Sequence, residues 1–215
     1  MKSFVFFVTF LLLAMVNSVE ANNTLDKFFQ VTQSMQADFI QIIKNTHGQL
    51  LEQSEGRLIL SRPDKFILEY KTPSEQKYIS NGQTLWMYDV ELEQVTIKVF
   101  DDSIGDSPAL LLSSNTNVYK HYRVDDIKPY KSDKNQWVQL LANKEDMTFE
   151  RVLLAFDGSI LKQMVMFDSF GQVTELQFSH IQVNKPFSLR QFTFTAPEGV
   201  DVIGAAQGEG SNRAQ

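Results

Sequence analysis

No cysteine occurs anywhere in the 215 residues. That absence excludes disulfides, thiolate metal sites, cysteine nucleophiles and lipid attachment through cysteine. Histidine is scarce as well: His47, His121 and His180 stand far apart, and none falls in an HExxH spacing. Neither a GxSxG elbow nor a phosphate-binding loop occurs. Acidic residues outnumber basic ones, 26 to 20, and no basic stretch breaks that balance. The electrostatic footprint of a nucleic-acid binder is therefore missing. Beyond residue 21 no segment approaches the ~20 apolar residues of a membrane-spanning helix, so stable membrane insertion is not expected. The run Asp101-Asp102-Ser103-Ile104-Gly105-Asp106 misplaces the glycine of a calcium loop and lacks its closing glutamate. These absences leave no metal or cofactor to expect. A lipid-acting hydrolase, which needs a nucleophile and a base, is disfavoured too.

Against these gaps stand 17 phenylalanines, 6 tyrosines and 2 tryptophans. The chain opens with Lys2 and an apolar run over residues 4–16, too short to span a bilayer comfortably. Asn17-Ser18-Val19-Glu20-Ala21 follows, and Val19-x-Ala21 supplies the small-residue pattern of a cleavage site. Residues 1–21 thus read as a secretory signal peptide cleaved near Ala21, placing the product outside the cytoplasm. Residues 22–203 then form one domain, held together by its core alone. The Gly/Ala/Gln/Ser-rich tail 204–215 is expected to be disordered.

Thr24 can cap a helix whose apolar positions are Leu25, Phe28, Phe29, Thr32 and Met35, the spacing of one helical face. Nearly everything after it carries strand signal. Alternation marks residues 37–42, 57–61 and 66–70. Further strands are expected over 84–89, 93–100, 119–127, 136–141, 149–156, 160–168, 173–183 and 189–195. Arg62-Pro63-Asp64, Asn81-Gly82, Asp157-Gly158 and Phe170-Gly171 separate them with turn chemistry. Short strands without long intervening helices indicate an antiparallel sheet or barrel. One short helix interrupts them: Ser107 as cap, Pro108 at the first turn, then Ala109, Leu110, Leu111 and Leu112. Three consecutive leucines must be buried on more than one side or cover something apolar.

Several strands are apolar on both faces, as in Leu85-Trp86-Met87-Tyr88 and Met164-Val165-Met166-Phe167. A sheet with one wet face should alternate cleanly. Either helices pack on the sheet, or an apolar cavity exists, lined by aromatics and adaptable methionines and suited to an acyl chain. Composition does not separate the two. Candidate cavity-lining residues are Leu58, Leu60, Leu68, Trp86, Met164 and Met166. Arg62 is the polar residue to single out. Preceding a proline, it stays extended and points to the same face as Leu58 and Leu60. A guanidinium at the rim of an apolar face either snorkels into water or finds acceptors in a mobile element over the cavity mouth.

Gly56-x-Leu58-x-x-x-Arg62-Pro63-x-x-Phe66-x-x-x-Tyr70-x-x-Pro73 resembles the signature of the periplasmic outer-membrane lipoprotein carriers, the LolA family. The likeness continues through Ser80-Asn81-Gly82-x-Thr84-Leu85-Trp86-x-Tyr88-Asp89, Ser107-Pro108-Ala109-x-Leu111-Leu112 and Asp168-Ser169-Phe170-Gly171-Gln172. It ends at Phe192-Thr193-Phe194-Thr195-x-Pro197-x-Gly199-Val200. The resemblance implies an incomplete antiparallel β-barrel of about eleven strands with a helical lid over an apolar cavity, and neither enzymatic activity nor a cofactor. It implies a monomeric carrier whose domain spans 22–203. That carrier would take triacylated lipoproteins from the inner-membrane transporter LolCDE, shield their acyl chains in the periplasm and deliver them to the outer-membrane receptor LolB. On the same mapping Arg62 latches the lid, Phe66 is the mouth aromatic used in receiving cargo, and Ala109, Leu110, Leu111 and Leu112 belong to the lid. The alternative is a periplasmic sensor of lipids or misrouted lipoproteins on a similar fold.

Overall fold

A computed structural model describes residues 24–100, 107–128, 130, 134–144 and 147–204. The expected signal peptide, the run 101–106 and the tail beyond Gly204 lie outside the described residues. Helix α1 (Thr24–Val31) is followed by β1 (Ser34–Lys44), β2 (Leu50–Ser61), β3 (Lys65–Thr72), β4 (Gln76–Asn81), β5 (Thr84–Asp89) and β6 (Gln94–Val99). Two short helices come next, α2 (Pro108–Ser113) and α3 (Asn115–His121). Then follow β7 (Tyr122–Ile127), β8 (Gln136–Ala142), β9 (Phe149–Asp157), β10 (Ile160–Asp168) and β11 (Val173–Val183). A 3-10 turn at Leu189–Phe192 precedes β12 (Asp201–Gly204).

The described strands form a single twelve-stranded sheet in the order β12-β6-β5-β4-β3-β2-β1-β11-β10-β9-β8-β7. Every ladder is antiparallel except β12 on β6. The edges β7 and β12 do not pair with each other, so the incomplete barrel inferred above is an open sheet. Hairpin chemistry explains the order. Asn45 Oδ1 accepts from the His47 and Gln49 amides, Asn81 Oδ1 from Gln83 and Thr84, and Asp168 Oδ1 from Phe170 and Gln172. Each side chain thereby mimics a backbone turn and holds its two strands in register.

Four local expectations are revised. The strand expected over 119–127 begins only at Tyr122, because residues 119–121 end α3. Val118 and Tyr122, four apart, are both buried while Tyr119 is exposed, which is a helical spacing. Residues 189–195 form no strand: Leu189–Phe192 is a 3-10 turn started by the Ser188 hydroxyl, which accepts from the Arg190 amide. Thr24 is the first residue of α1, and Met35 belongs to β1. Ser107 sits at the N-cap of α2, yet its hydroxyl makes no cap bond. Alternation marks neither β4 nor β12; in β12 the exposed Val202 and Ile203 leave no burial pattern to read.

Both faces of the sheet are covered, each differently. On the inner face Met35, Ala37 and Phe39 of β1, Leu58 and Leu60 of β2, and Phe66 and Leu68 of β3 meet Val152, Leu154, Met164 and Met166 from β9 and β10. All three helices join this cluster through Leu25, Phe28, Leu110, Leu112 and Val118. The outer face carries two separate covers. Under the 3-10 turn, which packs on β3 and β4, Ile79 and Phe192 are buried, and the Phe194 ring meets Tyr88 at 5.5 Å. Across β8–β10, Trp137, Leu153, Ala155 and Val165 form a small second core, with Arg151 lying 3.9 Å above the Phe167 ring.

Gly56 is required by a close approach. A Cβ there would stand 2.1 Å from the Glu69 carbonyl oxygen and 2.6 Å from Phe39 Cζ. The Phe39 ring can lie across β2 only because nothing projects at this position. Replacing Gly56 by Ala should cost on the order of 1–3 kcal/mol through overpacking. A fall in the urea midpoint at unchanged slope is the expected result, and an unchanged midpoint would show that β2 and β3 part easily.

Candidate functional site

Arg62 follows β2 in the turn to β3, and its side chain reaches across the inner face to two helix ends. Its Nη1 donates to the Thr32 carbonyl just beyond α1, and its Nη2 donates to the Leu112 carbonyl of α2 at 2.8 Å. The last carbonyls of a helix have no intrahelical donor. One planar guanidinium therefore supplies donors to the ends of two separate helices, which a point-charge ammonium could not do in the same geometry. The phenyl rings of Phe28 and Phe29 complete the seat, with the guanidinium carbon 4.6 Å and 4.9 Å from their centroids. That places both rings within cation–π range.

No carboxylate enters this seat among the described residues. Burial alone lowers the Arg62 pKa, to about 10, so the group stays charged at neutral pH. Its Nε is buried without a partner. The charge is therefore held by two carbonyls and two rings, and part of its hydrogen-bonding capacity is unmet. Next to it the Asp64 amide donates to the Ser113 carbonyl at 3.3 Å, a second tie between the β2–β3 turn and the end of α2.

Helix α2 packs across β2 and β3. Its Ala109, Leu110, Leu111 and Leu112 are all buried, none more than 4 % exposed. Beneath them lie Leu58, Leu60 and Leu68, while Met164 and Met166 enter the same cluster from the other half of the sheet. Trp86 does not join them. Leu85 and Met87 belong to the inner cluster, so alternation turns the half-buried Trp86 to the outer face, beside Ile79 and Ile97. Phe66, the mouth aromatic of the resemblance, does not lie open. It is fully buried with the leucines of α2, so any contact with another molecule requires α2 to lift.

Phe28, Phe29 and the Thr32 carbonyl were not singled out above as parts of the site. The only sequence signal for the two rings is their place on the apolar face of α1, which is equally a packing signal. At the opposite end of the strands the inner face turns polar. Tyr70 Oη donates to Gln41 Oε1 at 3.0 Å, and Tyr78 Oη donates to Gln76 Oε1 at 3.2 Å. Burial pushes both tyrosine hydroxyls above their ordinary pKa. Among the described residues, no group of three His, Cys, Asp or Glu could hold a metal ion, and no helix is long and apolar enough to cross a membrane.

The family described as outer membrane lipoprotein carrier protein LolA matches residues 30–195. An outer-membrane lipoprotein carrier protein of Methylobacillus flagellatus is 36% identical over 181 residues, covering 84% of this chain and 87% of its own. One from Dechloromonas aromatica is 36% identical over 195 residues, covering 91% and 93%. Among solved structures, an uncharacterized conserved protein of Thermus thermophilus matches with a TM-score of 0.54 at 14% identity, covering 84% of this chain and 96% of its own. That likeness shows the fold alone. The sequence relatives reach further, and this chain belongs to the LolA family of outer membrane lipoprotein carrier proteins.

Proposed function

We propose that this protein carries lipoprotein acyl chains through the periplasm on its inner face, with α2 as lid and Arg62 as latch. The observation that supports this most is the seat of Arg62. A single charged residue ties α1 and α2 over the apolar end of the inner face, through carbonyls that a small movement would release. In the closed state the leucines of α2 occupy the space that acyl chains would need.

The balance is physically workable. Exposing three leucines costs roughly 5–9 kcal/mol at the usual burial values, and each buried methylene of cargo returns about 0.8 kcal/mol. One acyl chain therefore roughly offsets the opening of the lid, and a triacylated cargo exceeds it. Methionines at positions 164 and 166 suit a surface that must accept chains of differing length. Export by residues 1–21 and cleavage near Ala21 place the carrier between the two membranes. The inner-membrane transporter LolCDE is the donor, LolB is the acceptor, and the carrier works as a monomer without catalysis. Phe66 takes part in receiving cargo once α2 has lifted.

Arg62→Leu should hold cargo more tightly. Each hydrogen bond from a charged donor is worth roughly 1.5–3 kcal/mol, so losing two destabilises the closed state by several kcal/mol. The open state gains population by the same amount, and apparent cargo affinity rises on the order of a hundredfold or more. Loading from inner-membrane vesicles should match the unmodified protein, while hand-off to LolB should fail and leave a soluble loaded complex. A variant that releases cargo normally would remove the latch from the mechanism.

Phe66 separates two effects. Phe66→Glu places a carboxylate in a fully buried site and should lower the melting temperature by many degrees. Phe66→Leu keeps the site apolar at a modest stability cost. If Phe66 serves the receiving step, the Leu variant should load more slowly yet hand off at the unmodified rate. Unchanged loading would leave Phe66 a packing residue only.

A further inference from the structure

Gln41, Glu52, Ser54, Tyr70, Gln76 and Tyr78 line a pocket of about 310 Å³ at the strand ends remote from the lid. It belongs to the same inner face as the apolar cluster. Gln41 is two residues beyond Phe39, Ser54 is two before Gly56, and Tyr70 is two beyond Leu68, so alternation turns all three inward. From Leu60 under α2 to Ser54 at the pocket is six strand residues, about 20 Å. That length suits an extended acyl chain laid along β2.

The track between the two ends is continuous. Phe39 lies over Gly56 and meets the Tyr70 ring at 5.3 Å, and Tyr70 meets Tyr78 at 6.2 Å. Beyond these rings the lining changes character. The Tyr70 and Tyr78 hydroxyls bond to the Gln41 and Gln76 amides, and the Ser54 hydroxyl donates to Glu52 Oε1 at 2.6 Å. Glu52 is exposed at the rim, and no cationic side chain pairs with it among the described residues. Donors and acceptors gathered at the end of an apolar track have no use for a hydrocarbon. They match ester and peptide groups, and a carboxylate at the rim matches a cation beyond them.

We infer that this pocket is the subsite for the polar junction of the cargo: the ester-bearing lipidated cysteine and the first peptide bonds after it, with Glu52 favouring a basic residue in the emerging peptide. The inference rests on the carrier reading above and deepens it. The apolar track sets where the chains lie, and the pocket sets which end of them faces out. Cargo is thereby read as a lipopeptide and distinguished from a free fatty acid or a bulk phospholipid.

Three probes separate the possibilities in the full-length mature protein: a fluorescent fatty acid, a triacylated cysteinyl peptide ending in four lysines, and the same lipopeptide ending in four glutamines. Tyr70→Phe with Tyr78→Phe removes only two hydroxyl groups. It should weaken both lipopeptides five- to tenfold and leave the fatty-acid affinity within twofold. Glu52→Gln, at an exposed position where folding is not at stake, should weaken the lysine lipopeptide several-fold and the glutamine one not at all. That selective loss should fade as salt is raised. Equal effects on all three probes, or none on any, would overturn the subsite while leaving the carrier intact. Failure of the unmodified protein to bind any probe would overturn the carrier reading itself and the subsite with it.

Discussion

A half-buried guanidinium with no carboxylate partner among the described residues is the constraint on which the rest of this structure turns. Charges leave water at high cost unless hydrogen bonds and opposite charge replace it. Arg62 finds its replacement in the carbonyls of Thr32 and Leu112 and in the faces of Phe28 and Phe29. Helix ends are well matched to this use, because their carbonyls would otherwise be orphaned under the lid. The bargain is mutual, and it is shallow. A hydrophobic residue in the same place would have left two helix ends unsatisfied.

Around that contact the two faces of the sheet play different parts. The outer face is closed by the 3-10 turn over β3 and β4 and by the small second core that the side chains of β8–β10 form among themselves. The inner face is closed by short helices tied down at few points, and every residue of the six-residue α2 is buried. Such an element has too few backbone hydrogen bonds to be stable alone and depends on its packing. A cover of that kind can leave without unfolding the sheet beneath it, which is what a carrier of the proposed type requires.

Much of this arrangement is legible in the residues. Period-two alternation, Asx and glycine turns, and the leucine run after Pro108 mark ten of the twelve strands, the hairpins and the lid helix in their proper order. The place of Arg62 on the Leu58–Leu60 face also follows from alternation and from the proline after it. What alternation could not say is which face is which when both are apolar. Leu85 and Trp86 are equally hydrophobic, and only one of them faces the inner cluster. Phe66 shows a second limit. Its position near a turn suggests exposure, but a helix forty residues later in the chain buries it. Residues 119–121 and 189–192 show a third, where local alternation lost to packing and to a serine cap.

The sequence by itself determined the class of the molecule: a cysteine-free, β-rich domain with no metal or nucleophile motif, carrying an ordered series of LolA-like residues and one arginine set against an apolar face. Only the tertiary structure decided what that arginine holds. Its partners are main-chain carbonyls, and every residue offers the same carbonyl regardless of its side chain. No pattern of residue types can reveal which of them will be brought within reach. That depends on where α1 and α2 come to rest across strands that are far apart in the chain. The polar end of the inner face was decided in the same way, by four strands placing amides and hydroxyls side by side at the close of an apolar track.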